Sequence, residues 1–213
     1  MKEAFIVVEQ FEKAVADFSG SKYAVAVDSC TNALFLSLMY MKQTGMNLPT
    51  HITIPKRTYV SVPSTVIHAG FSITFEDTAW SGVYQLKPLP VYDGATRFRR
   101  NMYVKDSLHC LSFHMKKHIK IGRGGMILTD NKDAVEWLKL ARFNGRNPVY
   151  HDNDTFKLIG WNMYMPSYDA ARGLWLMATT PETDLDIQGD YPDLSLYNFN
   201  GNVSGGRLIK DNE

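Results

Sequence analysis

The run Ser112-Phe113-His114-Met115-Lys116-Lys117-His118 stands just ahead of Gly122-Arg123-Gly124-Gly125. Most lysines are solvated surface charges, but a lysine set among other cations, as Lys117 is beside Lys116 and His118, has the setting of an amine nucleophile. Asp93 follows Leu89-Pro90-Val91-Tyr92 and precedes Gly94-Ala95. A carboxylate at such a strand end either caps a turn or holds a protonated nitrogen of a buried cofactor through a charge-assisted hydrogen bond. Ser29-Cys30-Thr31-Asn32 opens a helical run. Backbone N–H groups and the helix dipole favour a phosphate there, the plainer alternative being that Ser29 or Thr31 only caps the helix. The histidines His109, His114, His118 and His151 form no clear ligand set with carboxylates, so no metal is expected.

These residues must be positioned by regular elements. Val8, Phe11, Val15 and Phe18 recur at helical spacing within residues 5–18, and Ser19-Gly20-Ser21 ends that pattern. Tyr23 to Val27 reads as a strand, followed by the turn at Asp28 to Cys30 and a helix from Thr31 through Tyr40. Ile52 to Ile54 and Phe71 to Phe75 read as strands around a helix over 60–69, with Pro63 in its first turn. Further strands are expected at Leu89 to Tyr92, Leu108 to Leu111 and Gly125 to Thr129. Helices follow over 131–143, capped by Asp130 or Asn131, and over 168–179. Strands alternating with helices predict an α/β sheet covered on both faces, whose ligands bind beyond the carboxyl ends of the strands. Residues 180–213, rich in Asp, Asn, Gly and Pro, read as an irregular tail.

Composition narrows the class further. The 213 residues are 45% hydrophobic with a net charge of +1, which excludes a wholly disordered chain and argues against a nucleic-acid groove. The short basic cluster Arg97, Arg99 and Arg100 reads as a solvated face or a small anion site. Two cysteines, Cys30 and Cys110, fit a reducing compartment, and no apolar stretch reaches the ~18 residues of a membrane span. A cytoplasmic location is expected. The ten methionines read as core filler, and Trp137, Trp161 and Trp175 as core or interface anchors.

Taken in order, the motifs resemble those of the DegT/DnrJ/StrS family of pyridoxal-phosphate-dependent nucleotide-sugar aminotransferases. Ser112-Phe113-His114, Lys117 and Gly122-x-Gly124-Gly125 are similar to the family's cofactor-lysine motif, and Glu9, Phe11 and Glu12 to its "EFE" helix. Ala24 to Val27 leading into Ser29-Cys30-Thr31-Asn32-Ala33-Leu34, Pro55 with Thr58-Tyr59 and Ser61, and Asp93-Gly94-Ala95 follow the same pattern. So do Arg142 to Gly145 and Gly160-x-Asn162-x-x-Met165 with Ala170-Ala171 and Gly173-Leu174, so that the resemblance runs from about residue 7 to 176.

The resemblance implies the aspartate-aminotransferase-like large domain (fold type I) over 1–179, a mostly parallel sheet flanked by helices, with the small C-terminal domain largely missing. It implies a Schiff base between Lys117 and pyridoxal phosphate, Asp93 on the pyridine nitrogen, and Tyr59 stacked on the ring. Thr31, Asn32 and Ser112 would hold the phosphate, and Thr96 takes the place of a residue that contacts the phenolic oxygen. Asn162 would reach the cofactor of a neighbouring subunit in a homodimer. The implied reaction moves an amino group, from glutamate as the usual donor, to a keto sugar on a nucleotide. A non-catalytic homologue that keeps the dimer scaffold and a sugar dehydratase are the alternatives. In the dehydratases His replaces the lysine, and here Lys117, not His118, aligns with that position. Several positions depart from the pattern: Cys30 stands for a usual glycine, Arg123 for a common Glu, and Tyr164 for a usual Arg. Only 17 residues separate Phe75 from Asp93, too few for the strand-helix unit that the family places there. The tail after 179 is not expected to replace the missing domain.

Overall fold

The computed structural model describes residues 2–45, 48–148, 155–201 and 206–210. Helix α1 (Lys2–Ser19) leads into strand β1 (Tyr23–Val27) and helix α2 (Cys30–Thr44). Strands β2 (His51–Pro55) and β3 (Ser72–Glu76) flank α3 (Ser61–His68). The short β4 (Tyr84–Gln85) precedes β5 (Val91–Asp93), β6 (Leu108–Ser112) and β7 (Gly125–Thr129), and helices α4 (Lys132–Ala141) and α5 (Ser167–Thr179) follow. The expected elements thus form close to their expected bounds, and β4 is the one strand that the sequence pattern did not suggest.

The main sheet has the order β1-β7-β6-β5-β4, and β2 and β3 form a separate parallel pair. The expectation of a mostly parallel sheet holds for strand direction but not for pairing. Strands β1, β5 and β6 share one direction, yet only β5–β6 pair in parallel in the main sheet, because the reversed β7 lies between β1 and β6 and the reversed β4 forms a hairpin with β5. The physical reason for the hairpin is length. The segment between Phe75 and Asp93 is too short for a crossover helix, so the chain folds back instead. Lys87, beyond β4, exchanges backbone hydrogen bonds of 2.9 and 3.0 Å with Thr53 and so ties β2 to the main sheet.

Period-2 alternation divides the central strands between two cores. Val25, Val27 and Ile127 face α2 and α4, whereas Ala24, Ala26, Met126 and Leu128 belong to the core of α1 and α5. Both faces are covered, so β1 and β7 are apolar almost throughout. Helix α2 begins with Ser29 as its N-cap, accepting from the Asn32 N–H, and α4 with Asn131, accepting from the Ala134 N–H. A buried ion pair crosses the second core: Glu12 of α1 meets Arg142, and both also bond the backbone of Ala26. No helix among the described residues is long and apolar enough to cross a membrane.

Beyond α5 the chain carries only a single 3-10 turn (Leu194–Leu196) among the described residues and runs back over the sheet. Leu194 and Phe199 are buried in the first core, Phe199 against Phe75. The Asn200 side chain bonds both the N–H and the C=O of Ile73 at the free edge of β3. The arginine cluster meets groups of the chain's own tail, Arg97 and Arg99 half-buried and Arg100 on an exposed face. Arg97 pairs with Asp186, Arg100 with Glu182, and Arg99 donates to the Asp184 carbonyl.

Candidate active site

Asp93 and Ser112 end the neighbouring parallel strands β5 and β6, so their positions follow from one register, in which Asp93 lies opposite Cys110. Asp93 is 5% exposed. Its Oδ2 accepts from the Tyr84 hydroxyl at 2.8 Å and its Oδ1 from the Ala95 N–H at 2.9 Å. The Tyr84 hydroxyl lies in turn 2.6 Å from Thr58 Oγ1. Burial pushes the Asp93 carboxyl upward, while the Ala95 N–H, the Tyr84 hydroxyl and the Lys117 ammonium pull it back.

The loop after β6 folds on itself. Phe113 donates to the Gly124 carbonyl at 2.9 Å, Gly122 to the Phe113 carbonyl at 3.1 Å, and Lys117 to the His114 carbonyl at 2.8 Å. Phe113 is fully buried against Phe11 and anchors the loop, whose turn carries the half-buried Lys117 within electrostatic reach of Asp93 and Cys30. The loop exit runs against the start of α2, where Gly124 bridges Ser29. A Cβ on Gly125 would lie 2.4 Å from the Ser29 backbone, so this close approach requires glycine. Cys30, in the usual place of a glycine, sits among Asp93, Cys110 and Lys117, and burial pushes its thiol well up. It is therefore a neutral group on the floor of the site.

Asp93, Ser112, Lys117, Thr31 and Tyr59 all lie at strand ends or helix starts on this one side of the sheet. Thr31 Oγ1 is 2.8 Å from Ser61 Oγ, which joins the starts of α2 and α3, and Tyr59, 59% exposed, precedes α3. The Ser112 hydroxyl accepts a long bond from the His114 N–H. Two expected residues are engaged elsewhere. The Asn32 amide donates to Asp28 at 2.6 Å, and the buried Thr96 hydroxyl donates to the Gly82 carbonyl beneath the site. Asn162 is exposed, on a segment tied to the end of β1 by the Asp28 N–H on the Met163 carbonyl. His151 lies outside the described residues, and no group of three or more possible metal ligands occurs among the described ones. Tyr84, Trp80 and Tyr191 were not singled out in the sequence, whereas Thr58 was, beside Tyr59. Trp80 packs on both Tyr84 and Tyr191, with centroids 4.6 and 5.9 Å away. No local motif marks Tyr84, Trp80 and Tyr191, because their partners lie up to 111 residues away.

A model of the DegT/DnrJ/EryC1/StrS aminotransferase family matches residues 7–92 and 91–184. The spore coat polysaccharide biosynthesis protein SpsC of Bacillus subtilis is 27% identical over 78% of this chain and 55% of its own length. GDP-perosamine synthase of Caulobacter vibrioides is 26% identical over 80% of this chain and 55% of its own. The chain spans about half the length of the curated relatives it matches. Among solved structures, Helicobacter pylori PseC, an aminotransferase involved in pseudoaminic acid biosynthesis, matches with a TM-score of 0.62 at 19% identity over 79% of this chain and 56% of its own. A DegT DnrJ EryC1 StrS aminotransferase from Brucella abortus matches with a TM-score of 0.61 at 17% identity over 81% and 58%.

Proposed function

The chain belongs to the DegT/DnrJ/EryC1/StrS aminotransferase family, and from that premise we propose that it binds pyridoxal phosphate and transfers an amino group to a keto sugar carried on a nucleotide. Its fold is the fold type I architecture of pyridoxal-phosphate-dependent aminotransferases. The observation that carries the reading is the placement of a buried, doubly hydrogen-bonded carboxylate, Asp93, within electrostatic reach of the amine of Lys117 at the carboxyl ends of β5 and β6. That pair fits the cofactor, which presents a cationic ring nitrogen at one end and an aldehyde across the ring from it.

When bound, pyridoxal phosphate supplies an electron sink for the carbanion formed at the carbon that gains or loses the amino group. Asp93 Oδ keeps the pyridine nitrogen protonated; the Tyr84 hydroxyl and Ala95 N–H hold it in position and favour its charged form. Lys117 Nζ would hold the cofactor aldehyde, and its free amine would carry the proton to and from the substrate carbon. Tyr59 covers one ring face. Thr31 and Ser112 would cradle the phosphate with the dipole of α2, Asn32 would join them by turning from Asp28, and Thr96 supports the loop after Asp93 through its bond to the Gly82 carbonyl. Exposure of Asn162, beside an open cleft of about 340 Å3 that includes Thr31, Asn32, Phe35 and Met163, supports a homodimer in which Asn162 reaches the neighbouring site. Glutamate is the proposed donor, and the cytoplasm the proposed compartment.

The test is reduction with borohydride after incubation with pyridoxal phosphate, followed by peptide mass spectrometry. A pyridoxyl label on Lys117, absent from Lys117→Ala, is expected, with transfer from glutamate to nucleotide-linked keto sugars measured next. Folded protein that takes no label at Lys117 would remove the enzyme reading.

A further inference from the structure

Residues 184–194 touch the three loops that form the pocket. The Leu185 carbonyl accepts from His118 Nε2 at 2.9 Å, directly beside Lys117. The Ile187 N–H donates to the Thr96 carbonyl at 2.9 Å, on the loop that follows Asp93. The Tyr191 carbonyl accepts from Arg57, and the Leu194 N–H donates to the Lys56 carbonyl at 2.8 Å, both on the loop that leads to Tyr59. The segment therefore crosses the carboxyl ends of β6, β5 and β2 in turn.

Two ionic pins hold it. Asp186 accepts two bonds from Arg97, at 2.8 and 2.6 Å, and a third from Ser81. Asp193 lies 3.1 Å from Lys56 Nζ and 3.8 Å from Arg57. Between the pins, the Tyr191 ring stacks at 19° on Trp80, and Trp80 packs on Tyr84, whose hydroxyl holds Asp93. Burial, Asp93, Tyr59 and Cys30 all push the Tyr191 phenol upward, which agrees with a ring turned toward the pocket floor.

We propose that residues 184–194 are a strap that closes this pocket, with Tyr191 as the residue laid over its floor and the Arg97–Asp186 and Lys56–Asp193 pairs as the pins that keep it shut. In this reading Tyr191 is a positioning residue for whatever ring the pocket takes. The strap must lift for a ligand to reach Asp93 and Lys117. As applied to pyridoxal phosphate, the inference rests on the proposed function, but closure itself does not.

Closure is read without the cofactor through Cys30, half-buried at the start of α2 and within electrostatic reach of Tyr191, with the fully buried Cys110 as an internal reference. In the full chain, alkylation of Cys30 by iodoacetamide, followed by peptide mass spectrometry, is expected to quicken about tenfold in Asp186→Asn and in Tyr191→Ala, as loss of one charge-assisted contact or one ring contact gives. Cys110 is expected to stay unreactive in all three proteins. The rate at which pyridoxal phosphate labels Lys117 should rise in the same two variants. Equal Cys30 rates in the wild type and both variants, each with the wild-type circular dichroism spectrum, would overturn the strap. Faster alkylation with no label at Lys117 in any protein would keep the strap and remove only the cofactor reading.

Discussion

His109 offers the sharpest test of the packing around Asp93. It is fully buried, its Nδ1 accepts from the Val104 N–H at 3.3 Å, and its Nε2 has no hydrogen-bond partner among the described residues. Burial, aided by Arg97, lowers its pKa from 6.5 to about 4, so the folded protein holds it neutral where the unfolded chain would protonate it. Between those values the unfolded state binds more protons, so stability rises with pH. The contribution is complete above pH 6.5 and is lost as the pH falls toward 4, where the loss reaches about 3 kcal/mol. His109→Asn keeps an acceptor for Val104 and removes the titration. Urea unfolding at pH 7 and at pH 4 should therefore show the wild type losing about 3 kcal/mol more than the variant across that interval. Asp93, whose carboxyl burial pushes upward, works in the opposite sense but is common to both proteins and cancels in the difference. Parallel pH profiles for the two proteins would refute the assignment of a neutral buried imidazole.

Three further outcomes follow from the same contacts. A Cβ at Gly94 would lie 2.1 Å from His109 Nε2, so Gly94→Ala should cost roughly 2 kcal/mol in denaturant unfolding, and combining it with His109→Ala should recover part of that loss. Glu12→Ala leaves Arg142 buried without its carboxylate and should cost about 3–5 kcal/mol, read as a lower urea midpoint at unchanged slope. Asp93→Asn removes the charge proposed to hold the ring nitrogen and should weaken pyridoxal phosphate binding about a hundredfold in a fluorescence titration, while Lys117 stays reactive to labelling at high cofactor concentration.

The residues that local chemistry governs were legible in the sequence. Helical spacing of Val8, Phe11 and Val15 requires an amphipathic helix, the short apolar β-rich run Tyr23 to Val27 a strand, and Ser29 and Asn131 are N-caps because their side chains reach an N–H three residues on. The order of short motifs from Glu9 to Leu174 was enough to indicate the family, since each motif is a local turn or helix start. Strand pairing was not legible. Whether β5 meets a parallel or a reversed neighbour depends on how 17 residues after Phe75 close, and the chain resolved that by the β4–β5 hairpin. Nor did the sequence show where the arginines at 97, 99 and 100 go, because Glu182, Asp184 and Asp186 are over eighty residues away. Composition, periodicity and motif order are properties of neighbours along the chain. The covering of the pocket by residues 184–194, the orphaned His109 nitrogen and the Trp80–Tyr84–Tyr191 stack exist only once long-range contacts bring distant segments together, and the tertiary structure alone decides those.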